Sequence, residues 1–140
     1  MVRFKNRYFV VEIASARNKK LSALTPRDIQ NLVLSSIANN FGDVGLGLMM
    51  QSLQVVYYNA TTRLAVVRGS RDYATCIQAC LTFITEAQHQ DIKCETLQIC
   101  GSSRTCKDSL LTLSNRQIVA GKLNPTIRTE IIQDIESKDL

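Results

Sequence analysis

The alternation of apolar and polar positions predicts four strands and two helices in the first hundred residues. Apolar side chains recur at every second position in four segments, at residues 8–14, 52–58, 63–69 and 92–100. Between the first two segments, apolar residues at helical spacing predict a helix that Thr25 caps, Pro26 begins and Gly42 ends. Between the last two segments, a second helix follows Asp72, its predicted cap.

This order of elements, βαββαβ, is typical of an α+β domain with a ferredoxin-like or RNA-recognition-motif-like antiparallel sheet and both helices on one face. The turn NATT at 59–62 joins the second and third strands into a hairpin. We expect Leu53, Val55 and Tyr57 to share one face of the second strand, because side chains alternate along a strand. Many unrelated functions use this architecture, so it does not predict the function.

A further helix is predicted after the fourth strand, from about Thr105 to Ala120, with Ser102, Ser103 or Thr105 as its cap. Its apolar side chains need a surface, and the open face of the sheet is available, which predicts a three-layer α/β sandwich. Residues 1–123 are therefore predicted to form a single domain.

Residues 124–140 repeat Ile127, Ile131 and Ile135 at fourfold spacing. This spacing predicts a C-terminal amphipathic helix or tail, packed on the domain or on a partner.

Basic charge is concentrated in the N-terminal half. The chain has 140 residues, 45% of them apolar, which is enough for the core of one domain. Residues 1–71 hold ten Lys and Arg against three Asp and Glu, whereas residues 72–140 hold seven against nine. An anionic partner such as nucleic acid is therefore expected to meet the N-terminal half.

The side chains needed for catalysis or metal binding are scarce. The five cysteines form no Cys-x-x-Cys pair, and the single His89 has no partner at metal-ligand spacing. One His also argues against a Ser/His/Asp or Cys/His nucleophile, and GDVGLG at 42–47 follows a helix instead of a strand. We therefore predict no catalytic residue, no metal site and no cofactor bound by this chain, and interpret the cysteines as small buried residues.

No segment predicts secretion or a membrane span. The first apolar run stops at Glu12, which is too short for a signal peptide. The longest uncharged stretch, 44–62, contains several polar side chains and two glycines. We interpret it as a loop followed by a strand.

Two groups of cations are candidate anion contacts. Arg3, Lys5 and Arg7 alternate, so an extended chain places them on one face and Phe4 and Tyr8 on the other. This pattern fits a phosphate backbone, and it fits a solvated edge strand equally well.

The second group lies at the start of the helix after the fourth strand. Arg104 and Lys107 occupy its first turn, where a cation opposes the helix dipole unless an anion is bound there. The alternative is that Asp108 and solvent screen both charges.

Three segments resemble a known family in order and spacing: MVRFKNRYFVVEI, YYNATTRLAVVRGSRD and GSSRTCKDSLLTLSNRQI. They are similar to the small α/β protein subunit of ribonuclease P and ribonuclease MRP, the processing-of-precursors protein five family. The resemblance covers residues 1–120, and MVRFK-x-RY and GS-x-RTC are its most specific parts.

The resemblance implies an accessory protein of a ribonucleoprotein endonuclease that removes the 5′ leader of precursor tRNA or, as ribonuclease MRP, processes precursor ribosomal RNA. It implies that the RNA subunit carries the active site and its Mg²⁺, and that this chain is not an enzyme by itself. The expected partners are the ribonuclease P/MRP RNA, a TIM-barrel-like protein subunit and a paralogous small α/β subunit. Precursor tRNA is met indirectly, no membrane is involved, and the expected location is nucleus and nucleolus, or cytoplasm for an archaeal chain.

On this resemblance, RNA contacts are expected in three groups: Arg3, Phe4, Lys5, Arg7 and Tyr8 at the N-terminus; Arg63, Arg68 and Arg71 around the hairpin; and Ser102, Ser103, Arg104, Thr105 and Lys107 at the helix start. Such phosphate contacts should make binding fall steeply with salt. Exposed Met and Leu together are typical of interfaces, so a protein contact is expected at Leu46, Leu48, Met49 and Met50.

Two other functions are compatible with the predicted fold. A free-standing RNA-binding module needs stacking aromatics on the middle strands, where Tyr57 and Tyr58 are the candidates. A small acylphosphatase-like enzyme needs a phosphate-cradling loop after the first strand; ARNKK at 16–20 offers Arg and Asn but no glycine turn.

Overall fold

The computed structural model describes residues 5–15, 24–60, 62–87, 90–119 and 128–137. Its elements are β1 (Asn6–Ser15), α1 (Pro26–Met49), β2 (Gln54–Asn59), β3 (Leu64–Ser70), α2 (Ala74–Thr82), β4 (Glu86–Ala87), β5 (Gln90–Cys100), α3 (Ser103–Val119) and α4 (Arg128–Ser137). The strands form one antiparallel sheet in the order β2-β3-β1-β5-β4. The predicted α+β fold with a βαββαβ core is confirmed.

β1 is the central strand of the sheet and is buried on both faces. Its residues Phe9, Val11 and Ile13 belong to the core under α1 and α2, as predicted. Tyr8 and Val10 point the other way, into a second core under α3 and α4. Since apolar helices cover both faces of the sheet, the predicted three-layer sandwich is confirmed.

The second core is built from the C-terminal helices. Leu110 of α3 and Ile131 and Ile135 of α4 are almost completely buried against the sheet. A fully buried side chain of this size stabilises the fold by about 1.5–3 kcal/mol. α4 therefore packs on its own domain, whereas the side chains of Ile118 and Ile127 lie outside the described residues.

The prediction for the faces of β2 is wrong at Tyr57. Leu53 and Val55 lie in the first core, whereas Tyr57 lies in the second. The pairing with β3 shifts by one residue between Val55 and Tyr57, a β-bulge that leaves Val56 out of the register. One extra residue reverses the direction of every later side chain, so Tyr57 changes face.

The predicted start of α1 is confirmed, but its predicted end is wrong. The Thr25 side chain accepts a hydrogen bond from the Asp28 N–H at 3.2 Å, and the Asp28 carboxylate accepts from the Thr25 N–H at 3.0 Å. Gly42 breaks the helix with φ 70° and ψ −172°, a conformation that favours glycine, and helical backbone then resumes as far as Met49. The predicted glycine loop is therefore a second helical segment.

The start of α2 and the fourth predicted strand also differ in detail. Ser70, and not Asp72, supplies the cap: its hydroxyl accepts from the Asp72 N–H at 3.3 Å and begins a 3₁₀ turn that leads into α2. The fourth strand is preceded by the two-residue strand β4, which pairs with the start of β5. Between them, residues 88–89, including His89, are outside the described part of the chain.

Across the described ranges, every helix is too short or too polar to cross a bilayer.

Candidate nucleic-acid interface

One end of the sheet brings together the start of β1, the end of β3, the end of β5 and the start of α3. In the strand register, Asn6 lies opposite Ser70, and Tyr8 lies between Arg68 and Cys100. The Arg71 N–H donates to the Lys5 carbonyl at 2.9 Å, which joins the residue before β1 to the residue after β3. Antiparallel pairing therefore makes neighbours of segments that are far apart in the sequence.

This end of the sheet, which we call the basic end, carries six cationic side chains: Lys5, Arg7, Arg68, Arg71, Arg104 and Lys107. All six are exposed or half-buried. In the ranges that the structure describes, none of them lies within 4.0 Å of a carboxylate; the ion pair found there joins Lys93 to Glu95 on β5 at 3.9 Å. Asp72 and Asp108 are the carboxylates next to these cations in the sequence, and six cations against two carboxylates leave a positive potential that favours an anion.

Two of these guanidinium groups are held in place by the protein. Arg7 Nη1 donates to the Asn6 carbonyl at 3.2 Å and lies 3.5 Å from where a Cβ on Gly101 would stand, so the side chain crosses the end of β5. Arg68 Nη2 donates to the Gln54 Oε1 atom of the neighbouring strand at 2.6 Å. Both guanidinium groups still have unused N–H donors. Because the two side chains are already partly ordered, they lose less conformational entropy when a ligand binds.

The start of α3 completes the basic end. Of the three predicted caps, Ser102 is the one used: its hydroxyl accepts from the Thr105 N–H at 3.2 Å and lies 2.8 Å from the Thr105 hydroxyl. Its carbonyl accepts from the Cys106 N–H at 3.1 Å, the first bond of the helix. The remaining first-turn N–H groups have no acceptor inside the helix, so they add to the positive potential.

Two of the predicted RNA contacts are not available at the basic end, because Tyr8 is buried there and Arg63 lies elsewhere. Tyr8 is only 9% exposed and belongs to the second core, so its ring is not a surface for stacking bases. Arg63, with φ 61°, lies in the β2–β3 turn at the opposite end of β3. Six residues of strand separate it from the basic end, roughly 20 Å. Arg3 and Phe4 lie outside the described residues.

The residues predicted to contact protein divide between core and surface. Met49 is 3% exposed and belongs to the first core, and Leu46 packs against that core. The prediction of a protein contact at Met49 is therefore corrected, because Met49 is a core residue and is not available on the surface. Leu48 and Met50 are 56% and 49% exposed. Phe41 and Val44 in the same segment are also exposed, which the sequence pattern did not predict.

The cysteines are all free thiols, four of them buried and Cys76 half-buried. Burial raises the pKa of Cys94 to about 11 and that of Cys106 to about 12. These thiols stay protonated at neutral pH, which makes them poor nucleophiles and poor metal ligands. Among the described side chains, no three His, Cys, Asp or Glu come together as a metal site.

Comparison with known proteins identifies the family. The sequence model of the Rpp14/Pop5 family matches residues 7–111. The probable ribonuclease P/MRP protein subunit POP5 of Arabidopsis thaliana is 33% identical over 117 residues, covering 79% of this chain and 78% of that protein. The ribonuclease P/MRP protein subunit POP5 of Homo sapiens is 30% identical over 123 residues, covering 85% and 76%.

A solved structure shows the same fold. One chain in the cryo-EM structure of yeast ribonuclease MRP superposes with a TM-score of 0.57 at 10% identity, covering 86% of this chain and 98% of that chain. With the family model matching most of its length, and with relatives 33% and 30% identical across 79% and 85% of the chain, the chain belongs to the Rpp14/Pop5 family.

Proposed function

We propose that the chain is an accessory RNA-binding subunit of the ribonuclease P/MRP ribonucleoprotein, and that its basic end binds phosphates of the large RNA. The convergence of six cations from three separate chain segments at one end of the sheet carries this proposal. Family membership supports it, because the curated relatives are named as ribonuclease P/MRP protein subunits.

The geometry suits a phosphate backbone better than single-stranded bases. Arg7 and Arg68 present guanidinium groups, which bind phosphate oxygens with paired N–H donors. Stacking of bases would need exposed aromatic rings, and Tyr8 at this end is buried. Folded RNA, recognised through its phosphates, is therefore the favoured ligand.

We assign the cleavage chemistry to the RNA subunit and its Mg²⁺ ions, and none of it to this chain. The buried, protonated thiols of Cys94 and Cys106 agree with a non-catalytic role. Precursor tRNA and precursor ribosomal RNA are then substrates of the whole assembly, which this subunit meets through the large RNA.

A free-standing RNA-binding module is disfavoured because α3 and α4 cover the sheet face that such a module uses. Tyr57 is 2% exposed beneath them, and Tyr58 packs against the first core. An acylphosphatase-like enzyme is disfavoured by family membership. The loop that its chemistry requires, at 16–20, lies outside the described residues.

The proposed protein partners are a TIM-barrel-like subunit and a paralogous small α/β subunit. The exposed apolar side chains near the kink of α1, Phe41, Val44, Leu48 and Met50, are the proposed contact with one of them. Singly exposed apolar residues are common, but four together on one short segment are typical of an interface. Eukaryotic relatives support a nuclear location, to which we add the nucleolus as a proposal.

The proposal is tested by purifying the tagged chain from its source cells and sequencing the RNA that accompanies it. We expect one or two abundant structured RNAs, and Mg²⁺-dependent removal of the 5′ leader when the eluate is given precursor tRNA. Many unrelated messages without cleavage would favour the free-standing module instead, and the absence of RNA would reject the proposal.

A matched pair of variants tests the basic end itself. Changing Lys5, Arg7 and Arg104 to Gln removes three charges from it, whereas changing Arg27, Arg63 and Arg116 to Gln removes three exposed charges elsewhere. At about 0.15 M salt, we expect the first variant to bind the RNA roughly tenfold to a hundredfold more weakly and the second to bind nearly normally. Equal losses would indicate binding by net charge alone.

A further inference from the structure

The outer edge of β5 is open over most of its length. This strand has 11 residues and pairs with β1 along one side. On its other side, β4 pairs with Gln90 and Asp91. The Ile92 N–H then donates to the Thr85 carbonyl at 2.9 Å. Among the described residues, no strand lies beside residues 93–99, which span roughly 20 Å of extended backbone.

Every second residue of β5 directs its backbone N–H and C=O groups to this open edge. The Ile92 N–H points away from β1, and bonding direction alternates along a strand, so the groups of Cys94 and Thr96 point the same way. The pairing of β1 agrees, because Ile13, the register partner of Cys94, donates its N–H to the Arg63 carbonyl on the far side. Unpaired backbone groups on a strand edge form a template for another strand.

The side chains along this edge fit a strand that carries both charges. Lys93 and Glu95 lie two residues apart on the same face of β5, and their side chains are 72% and 57% exposed. Their mutual contact at 3.9 Å is an exposed ion pair, which contributes little to stability, so each can exchange it for a partner across a new strand pair. Because their charges cancel, the edge does not attract phosphates as the basic end does. Ile99, 41% exposed, adds apolar surface.

A second copy of this chain fits the edge poorly. Antiparallel self-pairing that sets Lys93 opposite Glu95 of the copy is centred on Cys94, and it would run the copy into β4. Self-pairing centred on Glu95 sets two carboxylates opposite each other, and centring on Thr96 leaves Lys93 opposite an apolar residue. A different chain is therefore the favoured occupant.

We propose that residues 93–99 of β5 bind an extended segment of a partner protein as an additional antiparallel strand. The segment carries a basic residue opposite Glu95 and, two residues later, an acidic residue opposite Lys93. Backbone hydrogen bonds to Cys94 and Thr96 supply the affinity, and the cross-strand charge pairs select the sequence. This site goes beyond the proposed RNA contact, because it contains none of the six cations of the basic end.

The first experiment measures amide hydrogen exchange by NMR in the full, ¹⁵N-labelled chain. The amides of Cys94 and Thr96 should exchange at least about tenfold faster than those of Lys93 and Glu95, which face β1. Slow exchange at all four would mean that another part of the chain already covers the edge, and it would overturn the proposal.

The second experiment adds the synthetic peptide acetyl-VTVRVE-amide to the same sample. We expect saturable shifts at residues 93–99 and slower exchange at Cys94 and Thr96. One control peptide is methylated on the two valine nitrogens that face these residues, and it should bind at least about tenfold more weakly. The other control, acetyl-VTVEVR-amide, exchanges the two charges and should bind about threefold more weakly. Equal binding of the methylated peptide would overturn the proposal.

Two variants test the site from the side of the chain. Thr96→Pro removes an outward N–H and leaves the bonds to β1 in place, so it should weaken the peptide by about tenfold. Lys93→Glu with Glu95→Lys, at exposed positions, should reverse the preference and bind acetyl-VTVEVR-amide about threefold more tightly than acetyl-VTVRVE-amide. An unchanged preference would contradict the proposed register, and this test stands even if Thr96→Pro does not fold.

The other occupants give distinct results. Concentration-dependent shifts at residues 93–99 without peptide would reassign the edge to a second copy of this chain. Shifts there on adding a short RNA duplex would reassign it to RNA, and either result would overturn the proposal. The Lys93→Glu, Glu95→Lys chain should bind the large RNA as tightly as the unchanged chain, so failure of the proposed function at the basic end and failure of this inference are distinguishable.

Discussion

The two faces of the sheet are both covered, but by unequal cores. Within the described residues, nineteen buried side chains form the core under α1 and α2, against ten under α3 and α4. On this side, the Ser114 hydroxyl of α3 is buried without a hydrogen-bond partner among those residues, and the Tyr57 hydroxyl lies near Asn59 and Thr62 without a well-aligned hydrogen bond to either. The first core therefore contributes more of the apolar stabilisation. The second core leaves more of its buried polar groups without a good hydrogen bond.

This difference shows where binding is possible. In an RNA-recognition-like sheet without additional helices, the face under α3 and α4 would be open to stack bases. Here the second core occupies it, and cations collect where the layers end, with Arg7 beside Gly101 and Arg68 beside Gln54. We therefore propose that this fold binds an anion at the basic end and not on an open face of the sheet.

The largest expected effect comes from deleting one buried side chain in each core. Ile77 and Leu110 are both 0% exposed. Ile77→Ala and Leu110→Ala should each lower the free energy of unfolding by about 2–5 kcal/mol, measured by urea denaturation. Val44→Ala, at a residue that is 77% exposed, is the control and should change it by less than about 0.5 kcal/mol. A loss below about 1 kcal/mol for Leu110→Ala would mean that α3 is loosely attached and that the second face can open.

A smaller effect is expected from neutralising the basic end on one side at a time. Lys5 and Arg7 lie on the same face of the chain as Phe9, which belongs to the first core. Arg68 lies opposite Tyr8, which belongs to the second core, and Arg104 lies in α3 on that same side. Changing either pair to Gln should weaken RNA binding by about tenfold and reduce the salt slope by roughly 1.5. Binding would be measured at several salt concentrations. An effect of only one pair would place the RNA on one side of the sheet.

Tyr57→Phe should change stability by less than about 1 kcal/mol, in either direction. The substitution removes a buried hydroxyl that lies near Asn59 and Thr62 without a well-aligned hydrogen bond to either, and it keeps the ring in the second core. Thermal or urea unfolding measures it, with Val66→Ala in the same core as the destabilising comparison. A loss well above this limit would show that the hydroxyl is hydrogen-bonded in solution.

The weakest effect near neutral pH is the titration of the buried thiols, one in each core. Burial raises the pKa of Cys94 to about 11 and of Cys106 to about 12, from an ordinary value of 9.0. Below about pH 8 both folded and unfolded chains hold these protons, so stability is constant. Above it the unfolded chain loses them first, so stability falls as the pH rises toward 12.

Urea unfolding between pH 8 and about pH 10.5, with a reductant present, measures this dependence. Cys94→Ala and Cys106→Ala should each flatten the decline. A decline that none of these variants alters would point to other groups, such as the buried Tyr57, whose pKa burial raises to about 12.

Local signals in the sequence determined the four longer strands, the start of α1 and the fold class. The capping box of Thr25 and Asp28 and the alternation of Phe9, Val11 and Ile13 involve neighbours a few residues apart, so they can be predicted from the sequence. The family segments likewise identified the cations of the basic end before their positions were known.

Only the tertiary structure decided the rest. A one-residue bulge moved Tyr57 to the second core, and pairing of β1 with β3 and β5 brought Lys5, Arg68 and Arg104 to one end while leaving Arg63 at the other. The hydrogen bond from the Ser36 hydroxyl on α1 to the Cys80 carbonyl on α2 joins residues forty-four positions apart. Each of these depends on contacts between distant parts of the chain, which local patterns of apolar and charged residues do not contain.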